Sequence, residues 1–151
     1  MWSREGDRPC AVPLSADIAL YSTLQTIPIS IFSLGTIRTI FDSSGDMETF
    51  VGLFHEDCTV TINGMHKFSG THNGINEFMG IIALIPSHYD NFSVTVANMI
   101  SEGDQVATQL DASADGMEAK FGHFHKIEGG KIKEFWVYDD SQKMAHAMKA
   151  V

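Results

Sequence analysis

Residues 91 to 139 read as four short alternating runs, "NFSVTVANMI", "QVATQLDASA", "MEAKFGHFHKI" and "KIKEFWVYD", separated by "EGD", "DG" at 115–116 and "GG" at 129–130. Alternation of apolar with polar side chains is the signature of a strand with one buried face. The connections are far too short for a crossover helix, so successive strands must pair antiparallel. This predicts a four-strand meander, and everything upstream has to cover one of its faces.

The upstream elements are mostly helical in pattern. "SADIALYSTLQ" can start a helix capped by Ser15 and interrupted at Pro28, and "IFSLGTIRTIF" carries apolar residues at helical spacing despite Gly35. After the break "SSGD", Asp46 caps a helix with Met47, Phe50, Val51 and Phe54 on one side. "CTVTIN", 58 to 63, alternates as a strand. Thr71 then caps a helix with Ile75, Phe78, Met79 and Ile82 on one face, which Pro86 ends, and "SQKMAHAMKAV" forms a closing helix. The fold class is α+β, a curved, mostly antiparallel sheet with helices segregated onto one face, and 151 residues suit a single domain, 1–151.

Composition narrows the partners. The formal charge is −9 and no Lys/Arg cluster occurs, so the basic footprint of a nucleic-acid binder is missing. Cys10 and Cys58 are far apart and in no metal-binding spacing, which suits a reducing, cytoplasmic setting rather than a disulfide framework. "MWSREGDRPC" lacks the basic-then-apolar order of a secretory signal. Ile18 to Ile37 carries no charged residue, but Pro28, Gln25 and several Ser/Thr argue against a membrane span. "GTHNG" has neither the preceding strand nor the lysine of a phosphate loop. No cofactor is expected.

Counting residues outward from the turns assigns faces. A two-residue loop at 129–130 sets Ile127 opposite Ile132, His125 opposite Glu134, His123 opposite Trp136 and Phe121 opposite Tyr138, with Asp140 continuing the alternation. The turn at 115–116 adds Thr108 opposite His123 and Leu110 opposite Phe121. One face thus carries Val106, Thr108, Leu110, Phe121, His123, His125, Trp136 and Tyr138, the apolar-plus-few-polar mix of a ligand pocket. The other carries Phe124, Phe135, Val137 and Asp139 and reads as a dimer surface. A one-residue slip would exchange the two.

From about Phe32 onward the chain resembles the SnoaL-like, or nuclear-transport-factor-2-like, family. The resemblance is carried by "DSSGDMETFVGLFHEDCTVTING", "FSGTHNGINEFM", "ISEGDQVATQL" and "KIEGGKIKEFWVYDD", in that order and spacing; residues 1–30 fall outside it. It implies a cone of sheet wrapped by helices around an apolar pocket, commonly in homodimers. Its members include ketosteroid isomerases, polyketide cyclases, dehydratases, epoxide hydrolases and binding proteins without chemistry, so fold alone does not decide function.

The resemblance places an acid/base aspartate at Asp140, after "GKI.E"; the same residue also fits the N-cap of the closing helix. His123 is the second catalytic candidate, about 13 Å from Asp140 along the strands and so not paired with it. Trp136, Tyr138, Phe121, Leu110, Thr108 and His125 line the expected substrate face. Asn63 falls near the base of ketosteroid isomerases, where an amide can donate to a carbonyl but cannot take a proton. Leu110 and Ala112 stand where the epoxide hydrolases hold an arginine and an aspartate, which argues against that chemistry. His123, His125 and Glu134 have the types for a metal, yet His125 and Glu134 at a hairpin end fit a wet ion pair, and no metal is expected. Met65, His66, His72, Tyr89 and Arg38 can reach the cone's mouth, and nothing in the sequence decides which do; His55 and His146 read as ordinary helix residues. The expected function is a cofactor-independent isomerase, cyclase or dehydratase acting on a small apolar, polyketide- or terpenoid-like metabolite. The alternative is a non-catalytic binding or dimerisation module, with a metal-dependent lyase more remote.

Overall fold

The computed structural model describes Ile37 and residues 46–151. Its elements are α1 (Met47–Gly52), β1 (Phe54–Ile62), β2 (Gly70–Asn73), α2 (Ile75–His88), β3 (Ser93–Glu102), β4 (Gln105–Ala114), β5 (Met117–Glu128), β6 (Lys131–Tyr138) and α3 (Ser141–Ala147). The strands form one curved, unclosed sheet in the order β2-β1-β6-β5-β4-β3, with β1 parallel to β6 and every other pair antiparallel. The α+β class and the meander therefore stand. Of the expected helices over residues 15–41, Ile37 is the one position among the described residues; it is helical and fully buried in the core.

Local chemistry accounts for most element ends. Asp46 caps α1, accepting from the Thr49 amide at 3.2 Å and the Thr49 hydroxyl at 2.5 Å. Gly129 and Gly130, at φ +56° and +80°, supply the left-handed pair that a tight two-residue hairpin needs. The β4–β5 register follows the turn at 115–116 as counted: Thr108 opposite His123, Leu110 opposite Phe121, and Asp111 opposite Lys120, with which it forms an ion pair.

Three element boundaries depart from the pattern. Phe54 and His55 open β1 instead of ending α1. Thr71 lies in the short strand β2, opposite Thr61, and α2 starts after Gly74, with Glu77 reaching back to the Asn73 amide at 2.6 Å. Pro86 sits inside the last turn of α2, where its missing N–H removes a single bond; the helix still closes through Tyr89 N–H to Ile85 O at 2.9 Å.

The largest correction concerns β6. Glu128 faces Lys131 and Ile127 faces Ile132 as counted, but Lys126 then faces Glu134, leaving Lys133 as an extra residue. This bulge reverses the parity of everything after it. His125 pairs with Phe135, His123 with Val137, and Phe124 with Trp136. Phe135 and Val137 consequently point into the core layer, while Trp136 and Tyr138 join Phe124 on the outer face. β1 makes a matching excursion, advancing from Phe54 to Thr59 while β6 advances from Ile132 to Glu134. Lys133 reaches across to Asp57 in that excursion at 2.6 Å.

The core lies between the inner sheet face and α2. Its centre is an aromatic cluster in which Phe54 meets Phe50, Phe78 and Phe135 at ring separations of 5.2, 5.7 and 6.3 Å. Such pairs each add about 0.5–1.5 kcal/mol beyond their burial. α3 closes the structure by burying Met144.

Asp140 is the N-cap of α3, accepting from the Lys143 amide at 3.1 Å. Replacing it by alanine is expected to cost about 1 kcal/mol of stability, measured by urea unfolding, with asparagine largely restoring it.

A candidate acid–base site in an apolar cavity

Between α2 and the inner sheet face lies a cavity of about 170 Å³. Phenylalanine, isoleucine, valine and methionine side chains make up most of its wall; the polar residues among the described lining are His66, His123, His125 and Asp139. Cone and apolar pocket are thus present, but with a partly different polar set from that expected.

Asp139 follows the end of β6, and Asn63 holds it there. The Asp139 amide donates to Asn63 Oδ1 at 2.9 Å, and Asn63 Nδ2 donates to the Asp139 carbonyl at 3.2 Å. Asn63 N–H also donates to the Val137 carbonyl at 3.0 Å. The asparagine side chain therefore prolongs the β1–β6 ladder past the last strand residue, fixing the inward parity of Asp139. Asn63 is a clamp on backbone, not part of the cavity wall.

His66 comes from the 63–69 turn, which Ser69 ties together: its hydroxyl donates to the Asn63 carbonyl at 2.8 Å and accepts from the His66 amide at 2.9 Å. Gly64 lets the turn pass close to α3. It has φ +86°, and a Cβ placed there would collide with the Ser141 side chain. His66 Nε2 lies 2.8 Å from Asp139 Oδ2, with the two side chains 1% and 3% exposed. The Phe68 amide approaches His66 Nδ1 at 3.3 Å. An amide can only donate, so Nδ1 is the acceptor, and the ring proton sits on Nε2 and is donated to the carboxylate. One carboxylate oxygen is thus committed to the imidazole. The other, Asp139 Oδ1, is buried with no hydrogen-bond partner among the described residues. Tyr89 stands nearby, its hydroxyl donating to the Met144 carbonyl at 2.8 Å; burial and the charge of Asp139 push its pKa up to about 12.

The residues expected at the site divide as follows. His123, His125 and Phe121 line the cavity. Leu110 and Thr108 are buried on the inner face but stand outside the described lining, and the Thr108 hydroxyl has no partner among the described residues. Trp136 and Tyr138 are on the outer sheet face, corrected by the bulge, with Trp136 packed on Phe124 at 5.8 Å and Tyr138 54% exposed. Glu134 goes with them, beside Lys126 at 3.8 Å and away from the histidines. No group of three or more His, Cys, Asp or Glu side chains that could hold a metal occurs among the described residues. Asp140 caps α3 outside the cavity, its backbone immediately following the residue that lines it. His66 and Asp139 were left undecided or placed outside by sequence reasoning; only the adjacency of two aspartates in "YDD" hinted that the inward carboxylate could be either.

His123 packs edge-on against Phe135 at 4.9 Å, and His125 stacks on Phe135 at 4.5 Å with an interplanar angle of 14°. Burial lowers both pKa values, His123 well below the usual 6.5, with His125 adding to the effect, and His125 to about 3. In the unfolded chain these imidazoles bind protons below about pH 6.5, and in the folded protein they do not, so stability is full above that pH and lost as pH falls. His125 alone should remove about 2 kcal/mol between pH 7 and pH 5. Urea midpoints at the two pH values test this, and His125→Phe is expected to reduce the difference by about that amount, leaving the share that His123 contributes.

A family profile for the SnoaL-like domain matches residues 39–135, well over half of the chain. Among solved structures, a protein of unknown function with a cystatin-like fold from Xanthomonas campestris is 22% identical, with a TM-score of 0.71 over 78% of this chain and 98% of that one. A protein from Jannaschia sp. CCS1, provisionally named a SnoaL-like polyketide cyclase, is 16% identical with a TM-score of 0.70, covering 85% and 99% of the respective chains. IdmH from Streptomyces antibioticus, provisionally named a polyketide cyclase, is 19% identical with a TM-score of 0.66, covering 76% and 96%. At such identities these structures speak to the fold alone. No curated protein sequence matches. Among the described residues no helix is long and apolar enough to cross a membrane. Profile and fold agree: the chain belongs to the SnoaL-like domain family.

Proposed function

We propose that the protein is an acid–base enzyme that moves a proton on a small, mostly apolar organic molecule, with Asp139 as the base and His66 as the residue that positions it. The observation that carries this reading is the uneven treatment of the carboxylate: Oδ2 is held by His66 at 2.8 Å, while Oδ1 is buried and has no partner among the described residues. A carboxylate held this way has one oxygen left to accept a proton from a bound C–H or O–H group. Asp139 Oδ1 takes the proton as the C–H electrons move into the adjoining π system, and the protonated acid returns it to another atom of the same molecule. That sequence serves an isomerisation or a cyclisation; with loss of hydroxide as water it serves a dehydration. It draws on no group outside this chain and its substrate. The apolar walls exclude water from the exchange.

The polyketide-cyclase names of two structural neighbours favour a polyketide- or terpenoid-like metabolite of natural-product biosynthesis as the substrate, and the cysteine usage favours the cytoplasm. The outer sheet face supports a homodimer: Ile100 is 64% exposed and lies opposite Ala107, in one row across the sheet with Phe124 and Trp136. Sedimentation should give twice the chain mass, and Ile100→Glu should shift it toward the monomer.

The direct test is deuterium uptake in D₂O by small cyclic enolisable ketones, followed by NMR. The wild type should exchange the acidic C–H, Asp139→Asn should lower the rate about 10²–10⁴-fold with binding retained, and Asp140→Asn should leave it unchanged. Binding without exchange in the wild type would favour the rival reading, a ligand-binding module without chemistry.

A further inference from the structure

His125 is the least explained group in the cavity. It is 0% exposed, and neither ring nitrogen makes a hydrogen bond of good geometry among the described residues; the Val106 backbone gives it only a weak contact that does not offset its burial. Leaving a buried polar atom unpaired costs about 1–3 kcal/mol, so such atoms in a folded protein call for a reason. Packing does not supply one. The ring stacks flat on Phe135 at 4.5 Å, a role that a phenylalanine would fill without the penalty. His123 sits beside it, 6.0 Å away between ring centres, and both line the cavity. Thr108, directly across from His123, adds a third buried and unpartnered polar atom to the same patch.

Strand geometry sets this patch apart from the base. His125 is opposite Phe135 and His123 opposite Val137, so they stand four and two residues before Asp139 along β6, about 13 and 7 Å at strand spacing. Between the two ends the cavity wall is hydrocarbon, including Phe121 and Val137. We propose that the His123–His125 pair is a second polar pole of the cavity, and that the substrate is an uncharged, compact ring molecule bearing oxygen at two opposite ends. One end meets Asp139 and the other is hydrogen-bonded by the imidazole pair. This rests on the reading of Asp139 as the base and adds the substrate's shape and functional groups to it.

Size and charge agree. A cavity of about 170 Å³ is near the roughly 150 Å³ that accommodates a benzene ring in an engineered apolar site. Burial keeps both imidazoles neutral, so each ring offers one N–H donor and one bare nitrogen, which suits a carbonyl or hydroxyl and gives little support to an anion. A carboxylate on the substrate would also meet the negative charge of Asp139.

Calorimetric titration of three probes tests the proposal: 4-hydroxyacetophenone, with oxygen at both ends; 4-ethylphenol, similar in shape but without the carbonyl; and 4-hydroxybenzoate, which is anionic. The wild type should bind 4-hydroxyacetophenone at least tenfold more tightly than 4-ethylphenol and should exclude 4-hydroxybenzoate. His125→Phe should erase the carbonyl preference while still binding 4-ethylphenol, which also shows that the variant is folded. Equal or tighter binding of 4-ethylphenol by the wild type, a preference that survives in both His125→Phe and His123→Phe, or no binding of either neutral probe would overturn the second pole. Asp139→Asn separates the two claims. If it leaves deuterium exchange unchanged while the carbonyl preference persists, the base reading fails and the pole stands; if exchange collapses but no carbonyl preference exists, the reverse holds.

Discussion

One inserted residue governs the chemistry of this protein. Lys133 occupies a bulge in β6, and its ammonium group reaches Asp57 in the excursion that β1 makes opposite it. Exposed ion pairs contribute little stability, so the pair matters for geometry more than for energy. In a strand each residue of offset exchanges inside for outside. Phe135, Val137 and Asp139 therefore face the core, and Trp136 and Tyr138 face away. Without the bulge, the carboxylate at the strand's end would belong to the other parity class.

From that constraint the site assembles with few further requirements. Asn63 extends the parallel β1–β6 ladder by one side chain, which carries the inward parity one residue past the strand. The same loop brings His66 onto Asp139, and an amide at its Nδ1 fixes which nitrogen holds the proton. Aromatic side chains from α1, β1, α2 and β6 fill the layer around it, so the carboxylate sits against hydrocarbon with one oxygen uncommitted. The neighbouring Asp140 is spent on capping α3. Two adjacent identical residues thus take opposite roles, one structural and one facing the cavity.

Most of the fold was legible in the sequence because its signals are local. Turn doublets at 115–116 and 129–130 gave the hairpins, and the β4–β5 register holds along its whole length. Asp46 and Asp140 were readable as caps. What was not legible depends on tertiary context. "KIKEFWVYD" is apolar at both parities, with Ile132, Trp136 and Tyr138 on one count and Phe135 and Val137 on the other, so periodicity cannot reveal a bulge. "GTHN" is too short to show a period and becomes a strand only because β1 lies beside it. The His66–Asp139 pair joins residues 73 positions apart, and no spacing rule connects them. The second pole was half visible: His123 and His125 share a face as counted, but their orphaned nitrogens emerge only from packing.

The central claim, that Lys133 sets the parity of the strand end, is tested most directly by cysteine accessibility along residues 134 to 139 in a Cys10→Ser, Ile100→Glu background, which keeps the outer face free of a second copy. Each position is changed to cysteine in turn, and its rate of modification by a bulky maleimide in the folded protein is measured against the buried Cys58. The account predicts fast labelling at 134, 136 and 138 and protection at 135, 137 and 139. Protection at the even positions with fast labelling at the odd ones would contradict it, and would return Asp139 to the outer face.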